Sequence, residues 1–241
     1  MRVAYFVTCI VDVVFPKIGE AALEVLERVG VRPAFPMAQT CCGQPAFNSG
    51  FQGEARQVAA HFVRVFQGYD AVVTPSGSCA AMVKHYYGEL LRGHPLEEAA
   101  REVATRTYEL TQFLVDVLGV QDLGARTSRP MRAAIHDACH GLRGLGVNEQ
   151  PRALLRHVRN LTLEEMNGHD QCCGFGGLFA IKMSEISSAM LQDKLATILA
   201  SNCDVVITGD ASCMMHINGG LSRRGVNKRV VHIAEVLANR V

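Results

Sequence analysis

Cysteine spacing constrains this chain more than any other feature. Cys9, the pair Cys41-Cys42 followed by Gly43, and Cys79 recur as Cys139, the pair Cys172-Cys173 followed by Gly174, and Cys213, at an offset of about 130 residues. The flanks repeat with them, since Val72-Val73-Thr74 and Ser78-Cys79 correspond to Val205-Val206-Ile207-Thr208 and Ser212-Cys213. Each half then closes on a similar amphipathic stretch, Leu110 to Leu118 and Ile233 to Leu237. Self-similarity of this kind predicts a tandem of two like units. The run Ala125-Arg126-Thr127-Ser128-Arg129-Pro130 is polar, aperiodic and ends in proline, so it is the expected connector, with domains at residues 1–124 and 131–241. Cys203 has no counterpart and reads as a buried structural thiol.

Periodicity places the cysteines on the fold. Val3 to Val7, Ala71 to Val73, Ala133 to Ile135 and Val205 to Ile207 are β-branched or apolar runs, and a cysteine follows each one. Between them, Ile18 to Arg28, Glu54 to Phe66, Glu97 to Leu118 and Ile186 to Leu199 carry the helical pattern. Alternating strands and helices predict an α/β fold of two pseudo-repeated domains, each a mostly parallel sheet flanked by helices. Ligands of such sheets collect beyond the carboxyl ends of the strands, where the strand order switches. The cysteines fall there.

A chain of 241 residues buries enough apolar surface to fold without covalent staples, so nine cysteines call for another explanation. With 24 Lys and Arg against 23 Asp and Glu, no basic field draws nucleic acid or an anionic membrane. No apolar run approaches the roughly 20 residues that span a bilayer. The start, Met1-Arg2-Val3, leads into a strand rather than an apolar leader, so the expected location is cytoplasmic. In that reducing compartment, dense cysteine points to metal ligands or redox chemistry rather than structural disulfides.

Groups of four thiolates select soft centres: zinc, copper(I) or iron–sulfur clusters. Structural zinc sites usually draw on Cys-x2-4-Cys knuckles, which the chain lacks, yet on residues alone zinc and iron–sulfur both stay open. The adjacent pairs Cys41-Cys42 and Cys172-Cys173 must lie on irregular turns if both sulfurs are to converge. Gly43 and Gly174 supply such turns, because glycine accepts positive φ and lets backbone N–H groups approach the sulfurs. Two other classes of function remain in view: a zinc-stabilised interaction protein, and a thiol–disulfide redox protein working through the adjacent pairs, whose disulfides would be strained.

The pattern as a whole resembles the cysteine-rich CCG domains found in heterodisulfide reductase and in the glycolate oxidase iron–sulfur subunit. Phe6-Val7-Thr8-Cys9, Cys41-Cys42-Gly43-Gln44-Pro45-Ala46, Thr74-Pro75-Ser76-Gly77-Ser78-Cys79, Cys172-Cys173-Gly174-Phe175-Gly176-Gly177 and His232-Ile233-Ala234-Glu235-Val236-Leu237 are similar to the lactate utilization branch of that family. The resemblance implies cluster ligands at Cys9, Cys41, Cys42 and Cys79 and at Cys139, Cys172, Cys173 and Cys213, holding one or two iron–sulfur clusters of the [4Fe–4S] type. It also implies an electron-transfer subunit that works with companion proteins, one of them ferredoxin-like, in oxidising L-lactate to pyruvate. Fuller versions of the domain end each half in Cys-x-x-Cys. Here the fifth thiolate is replaced at Ser76 or Met82, and at Asp210 or His216, which favours an ordinary cubane over the non-cubane clusters of five-cysteine relatives.

The second half has polar neighbours that the first lacks. His136, Asp137 and His140 flank Cys139, and His216 follows Cys213 by three. A histidine beside a cluster can replace a thiolate or carry a proton, and His140 and His216 rank above His136 for that work. The glycine string Gly141 to Gly146 and Gly174-Phe175-Gly176-Gly177 lack the order and acidic partner of a dinucleotide fingerprint. Arg223, Arg224, Lys228 and Arg229 form a basic patch, either a solvated face or a docking point for an acidic subunit.

Overall fold

The computed structural model describes residues 1–241 as two parallel sheets flanked by helices. In the first sheet β1 (Val3–Tyr5), β2 (Ala71–Thr74) and β3 (Thr107–Glu109) lie in that order, and a parallel bridge from Ala4 to Ala34 adds a position outside β1. In the second, β4 (Arg126–Ile135) has β5 (Arg159–Glu164) on one side and β6 (Val205–Thr208), then β7 (Arg229–His232), on the other. The two orders correspond position by position, so the cysteine repeat is a repeat of structure. All four residues of β2 and of β6 are buried, as central parallel strands covered on both faces require.

Helix Pro16–Arg28 begins with proline at its first turn and buries Ile18, Ala21, Ala22, Val25 and Leu26 on one face. Two expectations need correction. The stretch Glu97 to Leu118 is not one helix: helix Glu97–Thr105 ends, β3 follows, and helical turns resume at Leu110. Pairing of Thr107, Tyr108 and Glu109 with Val72, Val73 and Thr74 outweighs the local helical period. The expected connector at Arg126 to Pro130 is instead the opening of β4, tied down by Thr127 Oγ1 donating to Asn160 O at 3.1 Å and Ser128 N donating to Val241 O at 2.8 Å.

The halves share a core. One buried apolar cluster joins Tyr5, Val25 and Leu26 of the first half to Ile135, Val206 and Leu237 of the second. A smaller cluster, with Phe6, Phe62, Phe66 and Tyr87, belongs to the first half alone. The backbones also meet directly: a Cβ on Gly77 would lie 3.0 Å from Gly141 Cα, so these glycines set the approach of helix Gly77–Leu90 to the turn His140–Gly144. His232 Nε2 at 3.0 Å from Pro75 O fastens the end of β7 to the loop after β2. No helix is long and apolar enough to cross a membrane.

Candidate metal centre

Cys9 opens a short helix after β1, and Cys139 precedes the turn His140–Gly144 after β4. Cys79 and Cys213 sit in the first turns of helices Gly77–Leu90 and Ala211–Arg223. Ser76 caps the first of these helices by accepting from Cys79 N at 3.4 Å, and Asp210 caps the second by accepting from Ser212 N at 3.1 Å. The adjacent pairs lie on turns, with Gly43 at φ 83° and Gly174 at φ 87°. Gly43 N donates to Cys41 Sγ and Gly174 N to Cys172 Sγ, each at 3.4 Å. The two turns are not equally forgiving. A Cβ on Gly174 would stand 2.6 Å from Ser187 O, whereas on Gly43 the nearest atom, Ala55 O, is 3.4 Å away. Gly43→Ala should therefore cost about 1 kcal/mol, the penalty of the left-handed backbone, and Gly174→Ala about 2 kcal/mol or more. Parallel thermal denaturation checks the order, and equal losses would contradict it.

Seven of the eight repeated cysteines line one cleft of about 280 Å³, and the eighth, Cys41, touches Cys9 with sulfurs 3.7 Å apart. Sequence places one thiol set in each half; the fold turns both sets toward the same opening. Cys42 and Cys79 have sulfurs 3.4 Å apart, and Cys173, Cys213 and the ring of His136 have ligand atoms within 4.8 Å of one another. All nine cysteines are free thiols. Asp210 joins the halves at the cleft, since its Oδ2 accepts from Ser76 Oγ at 3.2 Å and from Ser78 N at 3.1 Å. Ser76 and Asp210 thus line the cleft. Met82 is buried in the core, and His216 packs against Phe175 with ring centroids 5.8 Å apart.

Electrostatics within each set favour a cation. Hydrogen bonds from Cys42, then Cys9, hold the Cys41 thiol far below the usual range, and Cys139, then Cys173, do the same for Cys172. Their neighbours move the other way: Cys9 and Cys139 are pushed up by keeping the proton they share with Cys41 and Cys172. Crowded thiols cannot all ionise unaided, and a soft positive centre removes that obstacle. The donor type, the paired glycine N–H groups and the convergence of sulfurs all fit a metal or cluster.

A buried ion-pair network positions the second set, and sequence reasoning did not find it. Arg152 makes a two-pronged contact with Asp137, at 3.0 and 2.8 Å, and reaches Glu165 Oε1 at 2.8 Å; His169 Nδ1 lies 2.7 Å from Asp137 Oδ2. Asp137 is two residues before Cys139 and His169 three before Cys172, so the network locks both cysteine loops to helix Glu149–Arg156. Burial pushes the Glu109 carboxyl up to about 7, and it lies between the halves with Oε1 unpartnered. In the basic patch, Lys228 is committed to structure, donating to Ile198 O at 2.9 Å and Ser201 O at 2.6 Å at the end of helix Ser184–Ala200. Cys203 is buried away from the cleft, its sulfur 3.0 Å from Ser201 Oγ.

The CCG cysteine-rich domain matches this chain twice, over residues 3–84 and 133–218. Lactate utilization protein A of Geobacillus thermodenitrificans is 49% identical over 241 residues, covering 100% of both chains. The chain belongs to the lactate utilization protein A family. Another relative, lactate utilization protein A 2 of Bacillus cereus, is 45% identical over 239 residues, covering 99% of this chain and 98% of its own. Among solved structures, glutamate racemase RacE1 of Bacillus anthracis superposes with a TM-score of 0.40 and 11% identity, covering 98% of this chain and 78% of its own; a likeness this weak carries no argument. Both domain matches include the Cys-Cys-Gly turn and the cysteine after the central strand, the elements that face the cleft.

Proposed function

We propose that this chain is a cytoplasmic iron–sulfur electron-transfer subunit of a multi-protein oxidoreductase that oxidises L-lactate to pyruvate. The observation that carries this reading is the meeting of seven of the eight repeated thiols at one cleft, with Cys41 against Cys9, at the switch points of two parallel sheets. Cys9, Cys41, Cys42 and Cys79 would hold one centre and Cys139, Cys172, Cys173 and Cys213 the other, with one or two [4Fe–4S] clusters per chain. Such clusters supply one-electron transfer at potentials tuned by hydrogen bonds to sulfur and by exposure. The protein's part is to aim Gly43 N and Gly174 N at the sulfurs, to hold the cysteine loops with Asp137 and Arg152, and to fix the two halves at Ser76 and Asp210. The repeat supports two units, the second of which takes in the whole of β4 from Arg126 rather than starting at residue 131.

Lactate gives up two electrons with a hydride, whereas cluster ligands serve one electron at a time, so companion subunits take the hydride. One of these would be a ferredoxin-type iron–sulfur protein. The purified, cluster-loaded chain with L-lactate and an artificial one-electron acceptor should show no turnover, and adding the companions should start it. Sustained turnover by the single chain would overturn this division of labour. So would companions that oxidise lactate just as fast without it.

One observation favours a second reading. Sulfur separations of 3.4 and 3.7 Å approach the roughly 3.8 Å edge of a tetrahedron around a single zinc with Zn–S bonds near 2.3 Å. A zinc-stabilised interaction protein would then be colourless and free of acid-labile sulfide. The cleft weighs against it, because about 280 Å³ is room for several water-sized bodies rather than for an enclosed ion.

A further inference from the structure

The second half contains a histidine that the fold itself does not use. His136 follows β4 directly, is 0% exposed, and its ring nitrogens have no partner beyond the neighbouring Cys213 thiol. Leaving ring nitrogens short of partners in the interior is costly, so a group outside the protein's own hydrogen-bond network is called for. One ring nitrogen lies within 4.8 Å of the sulfurs of both Cys173 and Cys213, and all three residues are buried.

The rest of the environment matches that of a metal-bound imidazole. A cavity of about 30 Å³ is lined by His136, Glu109 and Thr208, and Glu109 Oε1 and Thr208 Oγ1 are likewise buried without partners. A single water has room there, beside side chains whose polar atoms are unused. Ligating histidines characteristically give their second nitrogen to a carboxylate or water of this kind.

Packing does not ask for histidine at this place. The equivalent residue of the first half is Phe6, which stacks edge-on against Phe62 at 4.9 Å. Gly43 faces Ala55 and Val58 as Gly174 faces Ser187 and Met190, which aligns Phe62 with Lys194. An aromatic pair behind one thiol set is thus replaced, behind the other, by His136 and a buried lysine whose Nζ donates to Gly168 O at 2.5 Å.

We propose that His136 is a ligand of the second metal centre beside Cys173 and Cys213, taking the place of one of the other two thiolates, Cys139 or Cys172, so that the two centres of the chain are chemically unequal. This rests on reading the cysteine sets as metal or cluster ligands. The first centre is held by thiolates alone. The second has a neutral nitrogen donor and a nearby buried cation, both of which raise a reduction potential, so it is the higher-potential centre of the pair.

The test uses full-length protein loaded anaerobically with iron and sulfide and labelled with 15N-histidine. After reduction, hyperfine spectroscopy should show a directly bound histidine nitrogen. His136→Phe, which copies the first half, should abolish that coupling, while His140→Ala and His216→Ala should keep it. His136→Cys should retain iron with the nitrogen signal lost. Iron-loaded wild type without a bound nitrogen, persistence of the coupling in His136→Phe, or its loss in His140→Ala would each overturn the proposal. Should His136→Phe fail to fold, the decision falls to the other variants: coupling that survives both His140→Ala and His216→Ala supports His136, and loss in either rejects it. If the protein takes up no iron or sulfide, the iron–sulfur reading fails instead, and cobalt(II)-substituted protein then carries the same nitrogen test.

Discussion

Replacing Arg152 with alanine is expected to cost about 3–5 kcal/mol of folding stability, the range for removing one partner of a buried ion pair. Asp137 would be left buried without its two-pronged partner. For a domain of this size such a loss lowers the melting temperature by roughly 10 °C or more. Glu165→Gln provides the contrast: its side chain is 58% exposed, so its share of the network should be worth under about 1 kcal/mol. Because the network joins the loops that bear Cys139 and Cys172, Arg152→Ala should also weaken metal retention in the second half while sparing the first. Denaturant titration of the two variants, with metal content measured before unfolding, checks both effects. An Arg152→Ala protein within about 1 kcal/mol of the parent would show that these loops are positioned by something else.

Removing one cysteine should separate metal from fold. Cys42→Ala and Cys173→Ala each delete a buried sulfur from one set, and each should strip the metal of its own half. The apolar core runs through both halves and does not depend on metal as a zinc finger does, so the cost in stability should be about 1 kcal/mol. Far-UV circular dichroism should stay unchanged while bound metal falls by about half, provided both sets are filled. Unfolding of either variant would make the cysteines structural and weaken the electron-transfer reading.

Much of this arrangement is legible in the residues. The cysteines could be placed at strand ends because Val72-Val73 and Val205-Val206-Ile207 are short β-branched runs that punctuate the chain. The need for a left-handed turn at Gly43 and Gly174 follows from adjacent ligands that must converge, and both glycines have positive φ. What was hidden depends on contacts distant in sequence. β3 lies inside a helical period and is a strand only because β2 offers it an edge. Arg152 looks like any residue of an amphipathic helix until two loops fold over it. His136 ranks below His140 and His216 by position alone, and its burial and its ring nitrogens' lack of partners beyond Cys213 reverse that order. The shared cleft was the least visible feature, because Gly77 meeting Gly141 and Ser76 meeting Asp210 set the halves face to face.

The central claim is that two thiol sets hold iron–sulfur chemistry, and metal analysis of anaerobically purified protein tests it most directly. Iron, acid-labile sulfide and zinc should be counted per chain together with the visible spectrum. The account predicts brown protein with iron and sulfide in near-equal amounts, about four of each per cluster. Colourless protein holding stoichiometric zinc and no sulfide, even after anaerobic reconstitution, would contradict it.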